Sequence, residues 1–80
     1  GLQRGLQQGM QRGLQQGLQK GIREGLLSGI ELGLDLRFGA KGLRILPEIY
    51  KIEDVGVLRA IQEGLKTGKS LAEIQHIYKS

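Results

Sequence analysis

Apolar residues recur at every fourth position along the first part of the chain, each directly behind a glycine. Leu2, Leu6, Met10, Leu14, Leu18, Ile22, Leu26, Ile30 and Leu34 follow Gly1, Gly5, Gly9, Gly13, Gly17, Gly21, Gly25, Gly29 and Gly33. The third place of the unit is Gln3, Gln7, Gln11, Gln15 and Gln19, then Arg23, Leu27 and Glu31. The fourth is Arg4, Gln8, Arg12, Gln16, Lys20, Glu24, Ser28 and Leu32. A strand would set Gly and Gln on one face and would lack β-branched residues almost throughout, which disfavours it. Leu, Gln, Arg, Lys and Glu are good helix formers and no Pro interrupts them, so the pattern predicts one long helix over 1–38.

That helix carries a deficit. Each interior Gly costs ~1 kcal/mol relative to Ala, so eight of them cost on the order of 8 kcal/mol. Something must pack against them. At 3.6 residues per turn the Gly stripe drifts ~40° every four residues, in the hand of the helix itself. Two such stripes stay in contact only in a right-handed supercoil, with a pitch near ~54 Å and a crossing near −40°, the value typical of small-xxx-small pairs. The expected fold is therefore all-α, with a close-packed right-handed coiled coil over 1–33. Its expected oligomer interface is Gly1, Gly5, Gly9, Gly13, Gly17, Gly21, Gly25, Gly29 and Gly33, flanked by Leu2, Leu6, Met10, Leu14, Leu18, Ile22, Leu26 and Ile30. Matched Gly-on-Gly register along the whole seam favours a parallel homodimer.

From Leu26 onward the apolar face widens. Leu27, Leu32, Leu36 and Phe38 join Leu26, Ile30 and Leu34, which predicts packing against a globular element. Gly39 reads as the position just past the helix end. A second unit, 39–80, is expected to hold three short helices. The first, about 40–52, places Leu43, Leu46, Ile49 and Ile52 on one face, with Pro47 opening its second half or kinking it. Asp54 is the N-cap of the second, about 55–67, and Gly68 ends it. Ser70 and Glu73 form a capping box for the third, about 71–78. Gly39, Gly42, Gly56, Gly64 and Gly68 read as ordinary glycines of this segment, whose three helices are expected to cover the widened end of the long helix or its dimer mate.

Composition narrows the chemistry. The chain has 80 residues with 14 Gly, more than twice the usual ~7% share, and the strict phase sets this apart from a linker or a collagen. The absence of Cys removes disulfides, thiolate metal sites and a Cys nucleophile. No apolar run is long enough to span a membrane and no signal-peptide pattern is present, so a cytoplasmic protein without a membrane partner is expected. The N-terminal Gly suggests a trimmed or excised fragment. His76 is the single histidine and has no acidic cluster on its helical face. Glu53 and Asp54 are adjacent, but Asp54 has a capping role. Ser28, Ser70 and Ser80 have no base at sensible spacing, and the even Gly phase differs from phosphate-cradling loops. Tyr50 and Tyr78 read as packing residues. No catalytic, cofactor or metal site is expected, and no enzyme. The formal charge of +4 leaves nucleic acid as an alternative partner, through Arg4, Arg12, Lys20 and Arg23.

The Gly-xxx-Gly repeat running into Leu34–Leu43, followed by Leu46–Asp54 and the run Leu71–Ile74, resembles the C-terminal tail of bacterial recombination-promoting nucleases, also described as putative transposases. Those proteins carry a PD-(D/E)XK nuclease domain ahead of the tail. No part of that domain is present in this sequence, so no catalytic residue is carried over. Family tails often place charged residues between the glycines where this chain has Gln. The resemblance implies a tail or short product that oligomerises, with the full-length parent nuclease as a further partner.

Overall fold

The computed structural model describes the backbone of residues 2–79 and the side chains of residues 10–79. The described chain is all-helical: α1 (Leu2–Phe38), α2 (Ala40–Leu43), α3 (Leu46–Tyr50), α4 (Val55–Lys66) and α5 (Leu71–Lys79). It is elongated, 55 × 23 × 21 Å, because α1 at ~1.5 Å per residue is as long as the molecule. The short helices gather around the second half of α1 and leave the first half projecting.

The chain turns back at Gly39, whose φ of +63° and ψ of −137° lie in a region open essentially only to glycine. This turn lays α2 on the last two turns of α1. Gly42 is buried there, and a Cβ on it would stand 2.7 Å from the Leu34 carbonyl oxygen and 3.0 Å from the Phe38 Cβ. The helix expected over 40–52 is two helices, α2 and α3. Pro47 explains the break: it has no N–H to give Leu43, and its ring excludes that carbonyl from a continuous helix. The second unit accordingly has four short helices instead of three.

Asp54 caps α4 as expected, accepting a hydrogen bond from the Gly56 amide at 2.8 Å. Gly68, at φ +83°, ends α4, and the Lys69 amide reaches back to the Gly64 carbonyl at 3.0 Å, the long bond of a Schellman closure. The capping box opens α5: the Glu73 amide donates to Ser70 Oγ at 3.2 Å and the Ser70 amide to Glu73 Oε1 at 3.3 Å.

One core joins these elements. Ile30, Leu34, Ile49, Leu58, Ile61 and Ile74 are fully buried, with Leu27, Ile45, Leu46 and Leu65 beside them. Burying such side chains supplies ~1.5–3 kcal/mol each, the main force holding the short helices to α1. α4 runs in the same direction as α1: Gln62 sits over Gly29, Leu65 over Gly33, and the Lys69 carbonyl accepts from Arg37. Leu32 and Leu36 were expected on this inward face and are not on it. They are 60% and 76% exposed. Two residues advance a helix by ~200°, so Leu32 and Leu36 point away from the side that Ile30 and Leu34 bury.

Candidate self-association surface

The projecting half of α1 has apolar side chains without cover. Met10, Leu14 and Leu18 are each about two-thirds exposed, and Ile22 is 43% exposed. Beside them Gly13, Gly17, Gly21 and Gly25 are bare backbone, and a Cβ at any of the four would meet nothing within 4 Å. Gly13, Leu14, Gly17, Leu18, Gly21 and Ile22 together line a shallow apolar groove of about 530 Å³. The helix therefore presents a ridge of Leu and Ile along a furrow of Gly, a form suited to receiving another helix at short axial distance.

The expected interface divides. Gly1, Leu2, Gly5, Leu6 and Gly9 lie outside the residues whose side chains and surroundings are described. Met10, Gly13, Leu14, Gly17, Leu18, Gly21, Ile22 and Gly25 are open. Leu26 is half-buried against the core. Gly29 and Gly33 are covered by the chain's own α4, the first with Gln62 Nε2 at 2.8 Å and the second with Leu65 Cδ1 at 3.0 Å from where a Cβ would stand. Ile30 is fully buried in the core of its own chain. The drift of the stripe is the physical reason. By Gly29 it has turned toward the flank of α1 on which α4 packs, so α4 takes the place foreseen for a second chain.

Two arginines of α1 hold the short helices by their C-terminal carbonyls. Arg23 donates to the Tyr50 carbonyl at 2.7 Å and to the Ile52 carbonyl at 3.2 Å. Arg37 donates to the Lys69 and Leu65 carbonyls at 2.8 and 3.3 Å, with its guanidinium 4.7 Å from the centre of the Phe38 ring. Sequence reading placed Arg23 among possible phosphate contacts, and nothing in its spacing signals a carbonyl partner 27 to 29 residues away. Arg12 and Lys20 are exposed.

Among the described residues no group of three or more His or acidic side chains is gathered for a metal. His76 is exposed. Tyr78 donates to Glu48 Oε2 at 2.7 Å and Lys79 Nζ lies 3.5 Å from the same oxygen, fastening α5 to α3. The Tyr78 hydroxyl, followed by the Lys79 charge, holds the Glu48 carboxyl below its ordinary value. Burial and that same carboxylate push the Tyr78 phenol far above its own. The bond is charge-assisted and braces α5 against α3. A second groove, lined by Gln16, Gln19, Lys20, Arg23, Glu53 and Val55, mixes both signs of charge.

Among the described residues no helix is long and apolar enough to cross a membrane. No protein-family model, curated protein or solved structure matches this chain.

Proposed function

We propose that this chain is a non-catalytic homo-oligomerisation module, most simply a homodimer, whose contact is the exposed apolar face of α1. One observation carries the reading. Gly13, Gly17, Gly21 and Gly25 have open space where a Cβ would be, beside four exposed large apolar residues, in a helix whose glycines cost ~1 kcal/mol each. Among the described residues nothing packs against these four glycines to offset that cost, and a close-packed second helix would. The tetrad phase of these four glycines favours a right-handed crossing. The short helices brace the far end of α1. Taken with the resemblance of the sequence, the module belongs to the tail or a short product of a transposase-like nuclease and would join copies of that protein.

Sedimentation equilibrium and circular dichroism across concentration test the reading with Gly21→Leu. The native chain is expected to approach twice its monomer mass and to gain helicity as it does so. Gly21→Leu is expected to stay monomeric and to lose helix only in the projecting half. Unchanged mass and helicity in the variant would sink the proposal. Binding to DNA that weakens steeply with salt, in a chain that stays monomeric, would favour a nucleic-acid role for Arg12 and Lys20 instead.

A further inference from the structure

A single residue, Gly39, separates α1 from α2, and there the helix ladder is interrupted without being closed off. The Gly39 amide still donates to the Asp35 carbonyl at 3.0 Å. The ladder resumes with Leu43 donating to Gly39 and Arg44 to Ala40, both at 3.2 Å. In between, among the described residues, the amides of Ala40, Lys41 and Gly42 donate to no backbone carbonyl, and α2 has no side-chain N-cap. The Leu36, Arg37 and Phe38 carbonyls accept no backbone bond. Those three carbonyls are the partners that the three amides would have in an uninterrupted helix.

The sequence permits that helix. From Leu34 to Leu46 there is no Pro, and Gly39 and Gly42 adopt helical φ as readily as positive φ. Leu34, Phe38 and Gly42 stand at i, i+4 and i+8 and share about 80° of a straight helix. They are also the residues that meet in the bend, where a Cβ on Gly42 would stand 2.7 Å from the Leu34 carbonyl oxygen and 3.0 Å from the Phe38 Cβ. Two straight helices laid antiparallel with Phe38 at the crossing remake that contact twice, Gly42 of each copy on Leu34 of the other.

We propose that Gly39 is a hinge at which two copies exchange their short helices. α1 and α2 open into one helix, and α3–α5 pass onto the α1 of a second copy, which gives its own in return. The core is kept. Leu65 over Gly33, and Arg37 on the Lys69 carbonyl, become contacts between chains instead of within one. Each copy completes three ladder bonds and releases Gly39 from a φ/ψ pair open essentially only to glycine. Association costs translational freedom, so the bent monomer holds at low concentration and the exchanged pair gains at high concentration. The core must come apart on the way, which makes the conversion as slow as unfolding. This pairing goes beyond the contact proposed for the projecting half of α1 and does not use Gly13–Gly25.

The experiment uses the full chain carrying Gly29→Cys and Gln62→Cys, which face each other across α1 and α4, in a sequence without native Cys. Chains refolded at a series of concentrations are oxidised and read by mass without reduction. The bent form closes its disulfide within one chain, and the exchanged form closes it between two. A share of covalent dimer that rises with refolding concentration is expected. Adding Gly39→Ala, which the bent turn does not tolerate, is expected to raise that share about tenfold or more at a given low concentration. Replacing Gly39 with D-alanine is expected to lower it by a similar factor, because the mirror image of this turn falls in the polyproline II region. If circular dichroism shows that the Gly39→Ala chain does not fold, the fall with D-alanine decides alone. Equal shares of covalent dimer with glycine and with D-alanine would overturn the hinge. Chains that sediment as dimers but close every disulfide internally would also overturn it, while leaving the contact of the projecting half standing. Covalent dimer that persists when Gly21→Leu is added supports the hinge and shows that it acts without that contact.

Discussion

Glycine has three different uses in this chain, and each responds differently to one added methyl. At Gly13 a Cβ meets nothing, so Gly13→Ala is expected to stabilise the helix of the monomer by ~1 kcal/mol through propensity alone. At Gly42 the same methyl is driven against the Leu34 carbonyl and the Phe38 side chain. Gly42→Ala is expected to destabilise the fold by ~1–3 kcal/mol, the usual cost of overpacking, measured by denaturant unfolding. At Gly39 the space is open but φ is positive, so Gly39→Ala costs a similar ~1–3 kcal/mol through the backbone. A stable Gly42→Ala chain would show that α2 does not lie on α1 as described. The phase of the repeat made Gly13–Gly25 legible in the sequence. Gly42 was not, because its neighbours are set by the turn at Gly39 and not by anything near it in the chain.

At the scale of elements, caps and breakers were the legible part. The Asp54 cap, the Ser70–Glu73 box and the Gly68 stop mark α4 and α5 almost to the residue, since each is a local hydrogen bond between near neighbours. Ser70→Ala is expected to cost ~1 kcal/mol and to quicken amide exchange first in the opening turn of α5. The division at Pro47 was less legible, because a proline can open a helix or kink one and only the packing decides. The outward turn of Leu32 and Leu36 was missed for a related reason. A widened apolar pattern shows that two faces are in use but not which of them the chain covers itself. Between α3 and α5, the Glu48–Tyr78 bond couples stability to pH. A depressed carboxylate stabilises the folded chain above its unfolded value of 4.5 and loses that contribution as pH falls through the lower folded value. A raised phenol stabilises below its unfolded value of 10.0 and loses that contribution as pH rises beyond it. Glu48→Gln is expected to remove the acid limb, and Tyr78→Phe to remove the alkaline limb and shrink the acid one to what Lys79 supplies, in thermal unfolding followed across pH. Identical pH profiles for native and variant chains would contradict the brace.

Over the whole molecule, stability is unevenly placed. The buried core residues all come from Leu27 onward, so residues 13–22 of α1, all exposed, are held by helix hydrogen bonds without core packing. Hydrogen exchange is expected to be fast there and slow in α4, and to slow with rising protein concentration only in residues 13–22. Uniform protection along α1 at all concentrations would mean that the projecting half needs no partner. The shared direction of α1 and α4 has a further result. Two helices side by side and pointing alike align their dipoles, which repel, and they bring two negative ends together near Phe38 and Lys66. Arg37 belongs to the last turn of one and donates to the Leu65 carbonyl in the last turn of the other and to the Lys69 carbonyl just past it, so a single cation serves both ends. Replacing it with an uncharged chain of similar length leaves two partial negative charges facing each other across a short gap, and the far end of the molecule then becomes the part that added salt protects.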